Sequence, residues 1–280
     1  MSIVEKAIKK MGERALAQPP LRETAVPPKP RASAPVSRAP AHRAAVAELI
    51  RQSPGYTAPE AEQRKHADEI RRIKRALLER LPVGGIEQPR EFLITSSVPA
   101  EGKTFTALSI ALSVAQERDC GVLLIDGDLA RPTLSSLLGM QDLAGLTDVL
   151  LDRTIDPYDL VLETDIPGLW VLPAGHRSPQ SPELIASSRM REVLTQIHAA
   201  DSARVVIFDS PPLLASNEGQ ALSQLVQNIL LIVRAQATNP SVVAEALSAI
   251  PEGKSVSLVL NRMTKPHGHA FYGEYYKGPA

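Results

Sequence analysis

The chain has 280 residues, with 31 basic and 31 acidic side chains and a formal net charge of zero. This balance argues against a protein that coats nucleic acid through a basic excess. The single cysteine excludes an intramolecular disulfide framework and fits a reducing compartment. The hydrophobic content of 44% suffices for a packed core, yet no apolar run approaches the roughly 18 residues of a membrane span. We therefore expect a cytoplasmic protein.

Two stretches precede the strongly apolar part of the chain. Residues 1–18 are predicted to form a short basic amphipathic helix, because apolar residues recur there at helical spacing. Such a helix lies on a membrane, docks on a partner or packs back on the domain, and the sequence leaves these alternatives open. Residues 19–60 are rich in proline and alanine. Since proline lacks an amide donor and fixes φ, we predict a disordered Pro-rich tether there.

From residue 61 onward the pattern becomes that of an α/β domain. Helical signals cover residues 61–81, 103–117, 181–199 and 240–249. Short runs that are apolar throughout lie at residues 91–95, 121–126, 169–173, 205–209, 229–233 and 256–260. Such runs are typical of strands covered on both faces, and their alternation with helices favours a mostly parallel, doubly wound sheet flanked by helices. We place this domain at residues 61–261 and predict that residues 262–280 form a mobile tail.

The strongest local motif is SVPAEGKT at residues 97–104, which follows a predicted strand and opens a predicted helix. In that setting loop amides and a helix N-terminus converge on an anion. Lys103 would reach the β- and γ-phosphates, and Thr104 would offer its hydroxyl to Mg²⁺. Ser97 stands where G-x-x-x-x-G-K-[ST] has its first glycine. The motif predicts a P-loop NTPase fold that binds ATP and Mg²⁺. We expect the nucleotide contacts to come from Ser97, Val98, Pro99, Ala100, Glu101, Gly102, Lys103, Thr104 and Phe105.

Three aspartates end predicted strands, at the edge where open α/β sheets place their ligand sites. Asp126 and Asp128 lie in the segment VLLIDGD, and Asp209 ends VVIFD. One such aspartate alone is more often a helix cap or a turn residue. Three of them in a chain with a P-loop favour binding of Mg²⁺, directly or through water. We predict that Thr104, Asp128 and Asp209 hold the metal ion.

These motifs resemble those of the bacterial tyrosine kinases, a P-loop family tied to capsule and exopolysaccharide synthesis. The matching segments are SVPAEGKT, DGDLARP and DSPP. Within the predicted helix 61–81, Glu69, Arg72 and Arg75 match the family's E-x-x-R-x-x-R oligomerisation motif, although charges at this spacing are also typical of a solvated helix face. The helix and tether at the N-terminus are most similar to the exosortase-associated tyrosine autokinases.

The resemblance implies roles for individual residues. Lys103, Asp126 and Asp128 form the implied catalytic set, in which Asp126 orients or deprotonates the tyrosine hydroxyl. Asn261 ends the last predicted strand and is implied to contact the base of ATP. Ala100 departs from the family pattern, because many members have glycine at this position, and we expect a slightly strained loop.

The tail supplies the phosphate acceptors in this interpretation. Tyr272, Tyr275 and Tyr276 cluster within FYGEYYK, although tyrosine is mostly a half-buried residue. The resemblance implies autophosphorylation between the subunits of a ring-like homo-oligomer. It also implies a membrane polysaccharide co-polymerase as partner, which would recruit the chain to the inner face of the membrane. A cognate tyrosine phosphatase fits this scheme, and nucleic acid does not.

Two other functions stay open from the sequence. A MinD/ParA-like positioning ATPase would carry an extra lysine near the start of the loop, where this chain has Val98, and would lack the tyrosine tail. A non-catalytic nucleotide-binding regulator of a polysaccharide polymerase would not need the intact Lys103, Thr104 and three aspartates. Both are therefore less favoured than the kinase.

Overall fold

The computed structural model describes residues 42–53, 55–81, 90–118 and 120–263. The strands are β1 (His42–Ala44), β2 (Glu91–Ser96), β3 (Val122–Asp126), β4 (Leu162–Thr164), β5 (Leu169–Leu172), β6 (Val205–Asp209), β7 (Asn228–Arg234) and β8 (Ser255–Asn261). They form one sheet in the order β1-β4-β5-β3-β6-β2-β7-β8. Each neighbouring pair is parallel except β4 with β5. The predicted mostly parallel sheet is therefore confirmed.

Helices cover both faces of this sheet. Their bounds are α1 (Ala47–Gln52), α2 (Glu60–Leu78), α3 (Lys103–Val114), α4 (Thr133–Leu137), α5 (Leu146–Leu151), α6 (Ser181–Ala186), α7 (Ser188–Ala200), α8 (Asn217–Leu225) and α9 (Pro240–Ser248), with a 3₁₀ turn at Pro157–Leu160. Side chains of β3 alternate between two hydrophobic clusters: Leu123 and Ile125 join one, and Val122 and Leu124 join the other. The sheet is thus doubly wound, as its apolar strands predict.

The central strands bring the predicted site residues to one edge of the sheet. β6 lies between β3 and β2, and Asp126 is the register partner of Asp209. Ile94 of β2 is the other register partner of Asp209. Because parallel strands end at the same edge, the loops after β2, β3 and β6 meet there.

The prediction of an extended tether over residues 19–60 is wrong for its last part. β1 pairs with β4, and Val46 and Ile50 are buried in the core. The Asp165 carboxylate accepts hydrogen bonds from the amides of Val46 and Ala47 at the start of α1. The physical reason is local composition: the stretch between Pro40 and Pro54 contains no proline and carries apolar residues that can fold onto the sheet.

The predicted helix over 61–81 is confirmed as α2, which packs on α3 through buried Ile70 and Leu77. The predicted helix over 181–199 is instead two helices, because Ser187 ends α6 in extended conformation and its side chain accepts from the amide of Met190. No helix among the described residues is both long and apolar enough to span a membrane. The predicted N-terminal helix and the tyrosine cluster lie outside the described residues.

Candidate active site

The P-loop connects β2 to α3 with two residues in left-handed conformation. Gly102 has φ 96° and caps the N-terminus of α3, where no side chain makes a capping hydrogen bond. The first amides of a helix have no intrahelical acceptor, so the start of α3 presents unpaired N–H groups. Ala100 has φ 64°, a conformation that costs a residue with a Cβ about 1–2 kcal/mol. The strain expected at this position is therefore present.

Lys103 faces an acidic side chain across the mouth of this loop. Its Nζ lies 3.5 Å from Oδ2 of Asp128, and both side chains are largely buried. Oδ1 of Asp128 accepts a hydrogen bond from the amide of Arg131 at 3.0 Å, which fixes the carboxylate. A cavity of about 810 Å³ opens here, lined by the P-loop, the loop after β3, residues 178–182 and the segment from Pro211 to Glu218. This cavity is large enough for a ligand of nucleotide size.

Asp209 is a buried carboxylate without a hydrogen-bond partner among the described residues. Burial raises its pKa to about 7, and nearby Asp126 adds to this, whereas Lys103 opposes it. The Thr104 hydroxyl also favours the ionised form but does not reach hydrogen-bonding geometry. Buried acceptors in folded proteins nearly always have a partner, so the unpaired carboxylate at this ligand edge fits a cation or a hydrogen-bond donor of a ligand.

Asp126 has a different environment from its neighbour Asp128. Its Oδ2 accepts from the amide and the hydroxyl of Ser135, at 2.8 and 2.7 Å, and its Oδ1 accepts from the amide of Asp128 at 3.2 Å. Burial raises the pKa of Asp126 to about 6, against the lowering effect of these hydrogen bonds. Asp126 does not line the cavity, whereas Asp128 does. The carboxylate of Asp126 therefore fixes the loop between β3 and α4.

The other predicted nucleotide contacts separate into two groups. Pro99, Ala100 and Lys103 line the cavity. The Glu101 side chain is buried, and the ring of Phe105 packs against Tyr56, with centroids 5.0 Å apart. The Asn261 amide nitrogen donates to the carbonyl oxygen of Glu101 at 2.8 Å, so its implied contact with a base stays a prediction.

Several residues of this site could not be found from the sequence alone. Ser135 lies nine residues after Asp126, and its hydroxyl also accepts from the amide of Ala174 at 3.0 Å. Glu218 has no role in the sequence-based prediction, yet it lines the cavity, and its Oε2 accepts from the Ser216 hydroxyl at 2.7 Å. The segment DSPP indicated where β6 ends, but not that the residues after it form a cavity wall.

The predicted oligomerisation residues lie on the exposed face of α2. Glu69, Arg72 and Arg75 are exposed, and Lys65 is 3.7 Å from Glu69. Neither arginine forms an ion pair with a described residue.

Among the described residues no group of three or more histidine, cysteine or carboxylate side chains is arranged to hold a metal ion. Mg²⁺ commonly needs only one or two protein carboxylates when it arrives with phosphates.

The chain is similar to two curated tyrosine-protein kinases over most of the length of each. It is 30% identical over 191 residues to the putative tyrosine-protein kinase CapB of Staphylococcus aureus, covering 68% of this chain and 81% of that protein. It is 33% identical over 190 residues to the tyrosine-protein kinase YwqD of Bacillus subtilis, covering 66% and 78%. No profile of a known protein family matches.

Solved structures agree with this similarity. The VpsO kinase domain superposes with a TM-score of 0.61 at 28% identity, covering 74% of this chain and all of that domain. Because this neighbour is a kinase domain with the same fold, the predicted P-loop NTPase fold is confirmed. The chain belongs to the bacterial tyrosine kinase family and is a tyrosine-protein kinase.

Proposed function

We propose that this kinase binds ATP and Mg²⁺ at the P-loop and phosphorylates its own tyrosine cluster, Tyr272, Tyr275 and Tyr276. The observation that carries this proposal is the unpaired, buried carboxylate of Asp209 beside Lys103. A carboxylate that has lost water without gaining a donor is stabilised by a cation. A nucleotide with its metal ion supplies that cation at the edge where the lysine would hold its phosphates.

The residues of the chain divide the binding work by position. Lys103 and the amides at the start of α3 hold the phosphates, since they combine a positive charge with unpaired N–H groups. Thr104, Asp128 and Asp209 hold Mg²⁺, which when bound neutralises charge on the phosphate oxygens. On nucleotide binding, Lys103 exchanges part of its contact with Asp128 for the phosphates. These groups fit ATP and Mg²⁺ chemically, because they offer hard oxygen ligands beside a cation.

The acceptor hydroxyl enters the cavity on the side of Asp128. We assign the orientation of this hydroxyl to Asp128, because its Oδ2 faces Lys103, whereas both oxygens of Asp126 already accept hydrogen bonds. Asp126 then acts through the loop that it fixes, by holding Ser135 and the amide of Asp128. This modifies the sequence-based expectation that Asp126 itself contacts the hydroxyl. Phosphoryl transfer depends mainly on positioning and charge neutralisation, which this arrangement supplies.

Transfer between subunits would follow from assembly through α2. Arg72 and Arg75 are exposed cations without an ion pair among the described residues, and Glu69 lies three residues before Arg72 and six before Arg75. A second copy that presents the same helix offers opposite charges at this spacing. We further propose that such a homo-oligomer regulates exopolysaccharide synthesis with a membrane polysaccharide co-polymerase, which recruits it to the inner face of the membrane, and that a tyrosine phosphatase resets it.

The experiment that tests transfer activity compares two lysine variants after incubation with Mg-ATP. Lys103→Met should abolish phosphotyrosine, because the cation at the phosphates is lost. Lys254→Met should retain it, because Lys254 directly precedes β8, at the opposite edge of the sheet from the P-loop, and donates to the carbonyl oxygen of Gln224. A parent protein that binds ATP but never acquires phosphotyrosine would instead fit a non-catalytic nucleotide-binding regulator.

A further inference from the structure

The side chain of Glu101 turns away from the phosphate cavity and joins three parts of the chain. Its Oε2 accepts from the amide of Val98 at 2.9 Å, within the P-loop itself. Its Oε1 accepts from the amide of Arg234 at 3.1 Å and from the hydroxyl of Thr238. Arg234 ends β7, and Thr238 lies in the loop that leads to α9. The carboxylate thus connects the P-loop to a strand more than a hundred residues away.

This carboxylate is buried and has no ion pair among the described residues. Glu101 is 1% exposed, although glutamate is almost never fully buried without a partner. Three neutral donors hold it, two backbone amides and one hydroxyl, and hydrogen bonds to a charged acceptor are stronger than neutral ones. A neutral amide side chain could not replace it fully, because its NH₂ group would face an N–H donor on one arm.

A second contact holds the backbone of the same residue. The Asn261 amide nitrogen donates to the carbonyl oxygen of Glu101 at 2.8 Å. A Cβ at Gly102 would overlap this nitrogen, so the glycine allows Asn261 to lie directly on the loop. Asn261 ends β8, the neighbour of β7. Both the side chain and the backbone of Glu101 are therefore anchored to adjacent strand ends.

We infer that Glu101 is a positioning residue, and that Glu101 and Asn261 together hold the P-loop in its phosphate-binding conformation against the ends of β7 and β8. The inference rests on the proposed binding of ATP at this loop. The loop needs such support, because Ala100 and Gly102 on either side of Glu101 are both in left-handed conformation. Asn261 then acts on the phosphates through the loop, and not through a contact with the base.

This arrangement predicts which ligands lose affinity when the anchor is removed. A loop that is less well held costs binding energy for any ligand that uses its amides, whether or not the ligand carries a base. Tripolyphosphate with Mg²⁺ is a base-free probe of the loop, and GTP carries a different base. All of them should weaken by a similar factor. A residue that reads adenine would affect ATP alone.

The first test replaces the acceptor and one of its donors. Glu101→Gln should raise the dissociation constant of Mg-ATP about tenfold, because one arm of the anchor loses its acceptor. Thr238→Val should raise the dissociation constant by a smaller factor. Thr238→Ser should keep the value of the parent, since serine keeps the hydroxyl. Glu245→Gln is the matched control, because it makes the same charge change at an exposed position of α9. The KM for ATP should rise with the dissociation constant, while kcat at saturating ATP changes less than about threefold.

A merely structural role would give a different result: a lower melting temperature with an unchanged KM in the folded fraction. That outcome for Glu101→Gln, or binding by Thr238→Ser that is as weak as that of Thr238→Val, would overturn the inference. If the parent protein itself does not bind Mg-ATP, the proposed function fails and the inference fails with it. Parent binding with unchanged variants leaves the proposed function standing and removes only the inference.

The second test separates the two roles of Asn261 by isothermal titration of the full chain. Asn261→Ala should weaken Mg-ATP, Mg-GTP and magnesium tripolyphosphate by the same factor, about three- to tenfold. Weaker binding of Mg-ATP with unchanged binding of tripolyphosphate would show that Asn261 acts on the base. That result would contradict the assignment of Asn261 to the loop.

Discussion

Asp126 and Asp209 are register partners at the carboxyl ends of two hydrogen-bonded parallel strands, and both are completely buried. Their surroundings differ, because Asp126 accepts three hydrogen bonds and Asp209 accepts none from the described residues. Burial raises the pKa of both side chains. The nearby Asp128 carboxylate raises both further, and Asp126 also raises the pKa of Asp209. The pair therefore combines one hydrogen-bonded carboxyl group with one that has no donor among the described residues.

The raised pKa of Asp209 predicts a pH dependence of stability in the absence of metal. The folded protein holds this proton up to about pH 7, whereas the unfolded chain releases it near pH 4. Between these values the folded state binds more protons, so the contribution of Asp209 to the free energy of unfolding falls as pH rises. With EDTA present, Asp209→Asn should become more stable relative to the parent over this interval, as urea unfolding at several pH values measures.

An exposed aspartate provides the control for that experiment. Asp142 is exposed, so Asp142→Asn should follow the parent at every pH. Addition of Mg-ATP should raise the melting temperature of the parent and of Asp142→Asn, but much less that of Asp209→Asn. A constant difference between Asp209→Asn and the parent from pH 4 to pH 7 would mean that Asp209 is not protonated in the folded protein.

Ser135 should be important for stability, although it has no direct role in binding. Its hydroxyl donates to Asp126 and accepts from the amide of Ala174, and all three groups are buried. Ser135→Ala should lower the free energy of unfolding by about 1–3 kcal/mol, because two buried groups lose a partner. The adjacent Ser136→Ala removes only a bond to the carbonyl of Pro132 and should cost less than about 1 kcal/mol. Equal values in chemical denaturation would show that the Ser135 hydroxyl does not fix the loop.

The apolar strands were predictable because each carries its own signal. The segment VVIFD gives β6 with its observed bounds, and the other long strands differ by one or two residues at their ends. β1 and β4 were missed because three residues hold too little pattern, and their pairing depends on contacts more than a hundred residues apart. Such short strands are stabilised by contacts with the rest of the domain, and a window of a few residues in the sequence does not contain those contacts.

Ala100 offers a test of the strain in the P-loop. With φ 64°, Ala100 occupies a region in which glycine is free of the Cβ clash. Ala100→Gly should therefore raise the free energy of unfolding by about 1 kcal/mol, even after the higher entropy of glycine in the unfolded chain. Ala249→Gly, at a position with φ −78°, should instead lower it. A fall of the melting temperature in Ala100→Gly would contradict the strained geometry.

The motifs indicated the location of the site but not the division of labour within it. The sequence places Asp126 and Asp128 two residues apart and cannot tell which one lines the cavity. The difference depends on Ser135, which donates a hydrogen bond to Asp126, whereas Asp128 lies beside Lys103. Likewise, the sequence indicates Glu101 only as a nucleotide contact, because two of the three donors to its carboxylate lie 133 and 137 residues away. Side-chain roles that depend on such distant donors require the folded structure.

The charged stripe of α2 should affect assembly more than folding. Replacing Glu69, Arg72 and Arg75 with alanine should change the melting temperature little, since exposed charges contribute under about 1 kcal/mol each. Unphosphorylated protein should nevertheless shift towards monomer in light scattering, because a charge lost from a buried contact between subunits costs a few kcal/mol. Transfer between subunits is measured by mixing active protein with kinase-inactive Lys103→Met protein. Phosphorylation of the inactive protein should fall when both proteins carry the three alanine replacements.

A second pair on the same helix provides the control for assembly. Glu60 and Arg64 are exposed and form an ion pair one turn apart near the start of α2. Their double replacement by alanine should leave the mass in solution unchanged. An unchanged mass for the Glu69, Arg72 and Arg75 variant would assign these residues to a solvated face and remove the argument for transfer between subunits.

The position of the transferred phosphate tests the central claim most directly. Purified protein should be incubated with Mg-ATP, and its phosphorylated residues should be located by mass spectrometry. The chain has five tyrosines, of which Tyr56 is hydrogen-bonded to Ser109 of α3 and Tyr158 is buried in the core. We predict phosphate on Tyr272, Tyr275 and Tyr276, and its loss when all three are replaced by phenylalanine while ATP binding is retained. Phosphate that persists on Tyr56 or Tyr158 in that variant, or none on the tail of the parent, would contradict the account.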